Sequence, residues 1–462
     1  MNIFLLFSIA IGAIIRILYL SRHDFWFDEA FSYHIARLPL QDLIAASLTD
    51  NNPPLYYLLL HYILKISGNE IALRLPSLLL NILAIYLIYA IFKMDVNKKV
   101  ATIAASLFSL SPLAIYTATE ARPHGPAVIF TLLISMAFFA LIKKPNIKYS
   151  IIFILLAILG IYVHFYILLL LIPFTWIVLF GKSRIKILKW FLILAIILST
   201  LLPWFFLSLK NIHSDCACPN TILSFPASLV SPAIGGVGSV TLRSFPLLPF
   251  PYLILFTATS ILTLFLFVKG LNKHLPIIPI YILPLIILSL LGLFFPVFSP
   301  KAFSLFSPFY FGIVAYGIYL LKKPLIPVLL FIMLSAVSLI QIVNPFFAGE
   351  RIKPIHKIVA QNQTYPVAHT SLLTYYSLNY YSQGNQKHIL ITQNPLSAET
   401  LTFIGGQKQE VDPKSENLWL VDTEKWTEKD SRKTALQTLF NNYEVKKKDS
   451  VNTISVYLLK KK

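Results

Sequence analysis

The chain has 462 residues, 56% of them hydrophobic and 13% charged, with a formal charge of +19 and a mean hydropathy of +0.71. A soluble domain carries about a quarter charged residues, so a soluble globular protein is excluded as a class. Most of the basic excess lies in short loops between apolar runs, not on a basic and aromatic platform, so nucleic acid is not an expected partner.

Apolar runs long enough to cross a bilayer recur along most of the sequence. The first, about 2–20, is followed by Arg22-His23-Asp24 and no small-residue cleavage site, so it is read as a retained helix and not a removed signal peptide. A first loop over 21–70 follows. It opens with Trp26-Phe27-Asp28-Glu29-Ala30, two adjacent carboxylates among aromatics at a membrane edge, where ionised groups tend to mark a working site. Within it, the fourteen or so apolar residues of 54–67 are too short for a span and read as an interfacial helix on the outer surface.

Further spans are predicted at about 71–92, 100–118, 126–142, 149–163, 166–180, 187–209, 251–268, 276–295, 303–321 and 324–344, about eleven in all. Alternate short loops then carry Lys93, Lys98 and Lys99; Lys143, Lys144 and Lys148; Lys182, Arg184, Lys186 and Lys189; Lys269 and Lys273; Lys322 and Lys323. By the positive-inside rule these loops are cytoplasmic and the N-terminus is inside. The loops holding Asp28-Glu29, Glu120, His164 and Lys301, the 210–250 loop and the C-terminal tail are outside. The expectation is a multi-pass protein of the inner or plasma membrane with its active site extracytoplasmic.

The domains expected are a membrane domain, 1–346, and an extracytoplasmic α/β domain, 347–462. In the latter, 366–369, 388–392, 417–421 and 453–459 read as strands and 433–443 as a helix. Gly405-Gly406 reads as a turn. Cys216 and Cys218 form a lone C-x-C, too few ligands for a zinc site, and read as two plain thiols.

The conspicuous polar residues gather on the outer face. Each has a plain alternative: Glu120 and Arg122 as helix caps, His164 as an interfacial histidine, Lys301 as a snorkelling lysine. Together they suit a sugar carried on a lipid phosphate. Arg122 and Lys301 would take up the charge of a phosphate leaving group. Asp28 would be the general base for an acceptor hydroxyl, with Glu29 as its helper or a cation ligand. Absence of a nucleotide-binding motif argues against a nucleotide-sugar donor.

The chain resembles bacterial membrane glycosyltransferases of the C-type fold, in the group of protein O-mannosyltransferases and the lipid A aminoarabinose transferase (glycosyltransferase family 39-like). The carrying residues are Trp26-Phe27-Asp28-Glu29-Ala30, Asn52-Pro53-Pro54-Leu55-Tyr56-Tyr57, Arg74-Leu75-Pro76-Ser77, Ser111-Pro112, Glu120-Ala121-Arg122-Pro123-His124, Tyr162-Val163-His164-Phe165-Tyr166 and Ser299-Pro300-Lys301-Ala302-Phe303. The resemblance implies a polyprenyl-phosphate sugar donor, transfer outside the membrane and inversion at the anomeric carbon. It implies Asp28 as base, Glu120 and Arg122 as the second-loop polar pair, and Lys301 where relatives usually have arginine. It adds His124, at a position commonly tyrosine, with Tyr57 and Arg74. A divalent cation, Mg or Mn, is left open, with Asp28 and Glu120 as its ligands if there is one. The acceptor is a lipid, a polysaccharide or a protein. The rival reading is a transporter or flippase of a lipid-linked sugar, which an internal repeat would favour; none is visible. A structural subunit is the third reading.

Overall fold

The computed structural model describes residues 3–49, 52–181, 183–209, 221–235, 245–271, 275–295, 298–347, 349–393, 398–411, 415–425 and 427–462. Cys216 and Cys218 lie outside them. The described residues form two compact units: one within Met1–Arg22, Ile71–Lys210 and Cys216–Ala348, the other within His23–Glu70 and Gly349–Lys462.

The first unit is helical. Among the described residues, six helical segments are long and apolar enough to cross a membrane: Ile3–Leu20, Glu70–Asp95, His124–Lys143, Phe250–Gly270, Pro300–Leu321 and Leu325–Val343. Lys98–Ser109 and Pro112–Ala118 make a seventh if taken as one span bent by 62°. The bend has a local cause. Ser111 caps the second piece, its Oγ accepting from Ala114 N at 3.2 Å, and Pro112 cannot continue the first helix. The expected spans 149–163, 166–180, 187–209 and 276–295 appear as shorter apolar helices, Ile147–Val163, Phe165–Phe180, Ile187–Ser199 and Ile278–Leu291. The run read as 187–209 is broken before Leu202–Leu209, where Pro203 stands in the first turn.

Side chains such as Ile3, Phe180, Leu188 and Ile261 point outward from these helices, as a lipid face requires. Polar groups lie inside and bridge helices. Arg16 Nε donates to Asn81 Oδ1 at 3.0 Å and its Nη1 to the Ser109 carbonyl at 2.6 Å. Phe250–Gly270 and Ser307–Leu321 approach so closely that a Cβ at Gly270 or Gly317 would overlap the carbonyl of Ile313 or Leu266.

The second unit contains a five-stranded sheet: β1 Val367–His369, β2 His388–Leu390, β3 Asn417–Asp422, β4 Tyr443–Val451 and β5 Ile454–Lys461, in the order β2-β1-β3-β5-β4. β1 runs parallel to β2 and β3; β5 is antiparallel to β3 and β4. Ala368, Ile389, Leu418, Leu420, Leu439 and Leu459 fill its core. Four strands match the expected segments; β4 does not, and Lys429–Asn442 supplies the expected helix. β4 sits at the sheet edge and carries Lys446, Lys447 and Lys448, mostly exposed. Lysines on an edge strand block further pairing and hide the alternation by which strands are recognised. The short helices Phe27–Ala36, Leu40–Thr49 and Pro54–Leu64 belong to the same unit. Pro54 stands at the first helical position of the last, whose eleven residues are too few to span.

A buried polar chain runs through this unit. His369 Nδ1 meets Thr374 Oγ1 at 3.0 Å, the two imidazoles meet at 2.9 Å, and His388 Nε2 meets Ser382 Oγ at 2.9 Å. Burial, with smaller contributions from His356 and His34, holds His388 down to about 3. Burial, with His388 beside it, holds His369 well below its ordinary value. Both rings are neutral in the fold, whereas the unfolded chain takes up protons near 6.5. Their stabilisation is therefore complete above about pH 6.5 and is lost as pH falls toward the folded values, by up to ~1.4 kcal/mol per pH unit for each ring. The melting midpoint of the detergent-solubilised protein is expected to drop between pH 7 and pH 5, less steeply in His388→Gln. A midpoint flat across that range contradicts this.

Candidate active site

In the membrane unit the polar residues of the second loop stand between two helices. Pro112–Ala118 ends, the chain turns through Thr119-Glu120-Ala121-Arg122-Pro123, and His124–Lys143 begins. Glu120 is fully buried, and Lys301 Nζ lies 3.1 Å from its Oε1 and 3.0 Å from its Oε2. The same ammonium sits 5.1 Å from the centroid of the Tyr116 ring. Lys301 is placed by a one-turn helix, Pro300–Phe303, capped by Ser299 Oγ from Ala302 N at 3.4 Å. Ser299 N in turn donates to Tyr166 Oη at 3.1 Å.

His164 lies in extended backbone at the end of Ile147–Val163, its Nδ1 accepting from Tyr166 N at 3.2 Å. That bond selects the tautomer with the proton on Nε2. The ring lies 5.2 Å from His124 and 5.2 Å from Tyr166. Arg122 is half-buried, its carbonyl accepts from Ser77 Oγ at 3.3 Å, and its charge and that of Lys301 bear on His124. Thus Glu120, Arg122, His124, His164 and Lys301, expected from three separate sequence segments, form one neighbourhood. Tyr116, Tyr166 and Ser299 complete it. Tyr166 lies within the Tyr162–Tyr166 motif and Tyr116 four residues before Glu120, and neither had a feature that selects it.

Arg74 is fully buried in Glu70–Asp95 and its Nη1 donates to the Leu20 carbonyl at 2.8 Å. A guanidinium on the last carbonyl of Ile3–Leu20 stabilises that helix end, a role in the scaffold. Gly125 matters for a different reason. A Cβ there would come 2.8 Å from the Thr117 carbonyl and 3.1 Å from Ser77 Cβ, so only glycine lets the start of His124–Lys143 nest against both. Gly125→Val is expected to cost about 1–3 kcal/mol and to lower turnover, because the displaced turn carries Arg122 and His124. Melting and activity measured together check this; a variant normal in both contradicts it.

In the second unit Asp28 and Glu29 occupy the first turn of Phe27–Ala36, where carboxylates are favoured by the helix dipole. Glu29 is fully buried, with His23 Nδ1 3.8 Å from its Oε2; Asp28 is half-buried. Tyr56 and Tyr57 are buried in Pro54–Leu64. That helix packs on Phe27–Ala36, and His61 Nδ1 lies 2.9 Å from the Ala36 carbonyl. Among the described residues no three His, Cys, Asp or Glu side chains gather as a metal ion would require. Glu120 already meets an ammonium with both oxygens. No step below is routed through a metal ion.

Residues 51–206 match the family described as dolichyl-phosphate-mannose-protein mannosyltransferase, about a third of the chain. Two solved structures share the fold. ArnT from Cupriavidus metallidurans bound to undecaprenyl phosphate has a TM-score of 0.57 at 12% identity, over 98% of this chain and 97% of that one. The oligosaccharyltransferase AglB from Archaeoglobus fulgidus, in complex with an inhibitory peptide and a dolichol-phosphate, has a TM-score of 0.50 at 12% identity, over 98% of this chain and 74% of that one. The chain is thus similar in fold to these two membrane proteins, and over 51–206 it is similar to the mannosyltransferase family. The matched region holds Glu120, Arg122, His124 and His164; Asp28 and Lys301 flank it. No curated protein sequence matches the chain.

Proposed function

We propose that this membrane glycosyltransferase moves a sugar from a polyprenyl phosphate to an acceptor hydroxyl on the extracytoplasmic side, with inversion. The observation that carries the reading is the match of 51–206 to a family that takes its sugar from a lipid phosphate, over a segment whose polar residues gather around a buried ion pair. The undecaprenyl phosphate of ArnT and the dolichol-phosphate of AglB point to the same donor class. The lysines of alternate loops support the sidedness.

In the reaction the acceptor oxygen attacks the anomeric carbon from the face opposite the leaving group. The bond from that carbon to the phosphate oxygen breaks as the new glycosidic bond forms. Polyprenyl phosphate departs with the bonding pair, and the acceptor proton passes to Asp28. Arg122 and Lys301 receive the phosphate charge. Glu120 holds Lys301 in place, so the pair is near neutral by itself and Arg122 supplies the net positive charge. Fixed charges of this kind stabilise a developing anion without reorganising. Glu29 assists Asp28, and His164 stands on the acceptor side.

The test is to supply a polyprenyl-phosphate sugar of known anomeric configuration with an acceptor and to read the product linkage by NMR. An inverted linkage supports the reading; a retained one contradicts the single displacement.

A further inference from the structure

Phe27–Ala36 has no side-chain cap. Its N-cap residue is Trp26, which makes no capping hydrogen bond. Within the second unit, groups of the C-terminal segment bind the residues just before this helix. Phe25 N donates to Tyr381 Oη at 2.7 Å, and that hydroxyl donates to Glu70 Oε1 at 2.8 Å. Lys353 N donates to Asp24 Oδ2 at 2.8 Å, and its ammonium lies 2.9 Å from Glu70 Oε1 and 3.9 Å from Asp24 Oδ1. Two side chains therefore tie together both ends of the His23–Glu70 segment.

The next tyrosine strengthens the tie. The Tyr380 ring stacks on Phe25 at 4.2 Å and its hydroxyl donates to the Gly68 carbonyl at 3.0 Å. Burial, with Glu70 beside it, raises the Tyr381 phenol well above its ordinary value, so it stays a donor to Glu70 throughout the working pH range.

We propose that Tyr381 is a positioning residue, fixing through Phe25 and Glu70 the turn that presents Asp28. The proposal rests on the reading of Asp28 as base. It also gives the C-terminal domain a task in the reaction: a small displacement of a catalytic group costs far more rate than binding.

Tyr381→Phe tests it, since the ring and its stacking neighbours remain while the hydroxyl is lost. The expected result is a fall in kcat of about ten- to a hundredfold with donor KM within about twofold. Amide hydrogen exchange should quicken over 24–31 and stay unchanged in β3 and β5. In an Asp28→Asn background, Tyr381→Phe should cause no further loss, because the residue acts through Asp28. Equal losses in both backgrounds, or wild-type kcat and exchange, would overturn the proposal while leaving the base assignment intact. If Asp28→Asn alone keeps full turnover, the base assignment falls and takes this proposal with it. If Tyr381→Phe does not accumulate, Lys353→Met, which keeps the backbone bond to Asp24, is read by the same criteria.

Discussion

Asp28→Asn is expected to slow sugar release from a polyprenyl-phosphate donor by about 10²–10⁴-fold while leaving donor binding within a few fold. Asparagine keeps the shape and the helix position but cannot take the acceptor proton. Asp28 is half-buried and so more open to an acceptor than the fully buried Glu29. Glu29→Gln should therefore act mainly by loosening the turn, with a smaller loss of turnover. Turnover and equilibrium donor binding measured on both variants separate the roles. Equal turnover in wild type and Asp28→Asn removes Asp28 from the chemistry.

Lys301→Met carries the second large effect. It leaves the Glu120 carboxylate buried and without its ammonium, which costs about 3–5 kcal/mol in comparable sites. It also removes a phosphate-holding cation, so stability and turnover should fall together. The variant Glu120→Gln/Lys301→Met separates the two effects. With no buried charge left, its melting midpoint should recover much of the loss, while turnover should stay low. Lys301→Arg keeps the charge and adds a fork, and should retain measurable turnover. Recovery of turnover in the double variant would show that the pair serves only the scaffold.

The sequence exposed some of this site and concealed the rest for physical reasons. Charged residues beside apolar runs stand out because membrane interiors rarely contain them, and so Asp28, Glu120, Arg122 and Lys301 could be selected one by one. The grouping of Glu120, Arg122 and Lys301 is a long-range fact. Nothing in the spacing of 120 and 301 states that Lys301 would meet Glu120 instead of lying alone at the headgroups. Arg74 came only with the resemblance, and its Nη1 bonds the Leu20 carbonyl. The break at His164 was legible, with 149–163 and 166–180 read apart; the break before Pro203 was not, since hydropathy averages across it. Tyr381 and Lys353 gave no signal. The tyrosines at 375, 376, 380 and 381 form a stripe at helical spacing, which marks a packed face but not the Phe25 loop that it meets. β4 was hidden by its own lysines.

The most direct test of the central claim follows a donor labelled in its sugar with the wild-type protein in sealed proteoliposomes. Label is expected to leave the polyprenyl phosphate and appear on an acceptor or in water, with free polyprenyl phosphate formed in equal amount. Label that stays on intact lipid and crosses to the other leaflet would contradict it and make the chain a transporter.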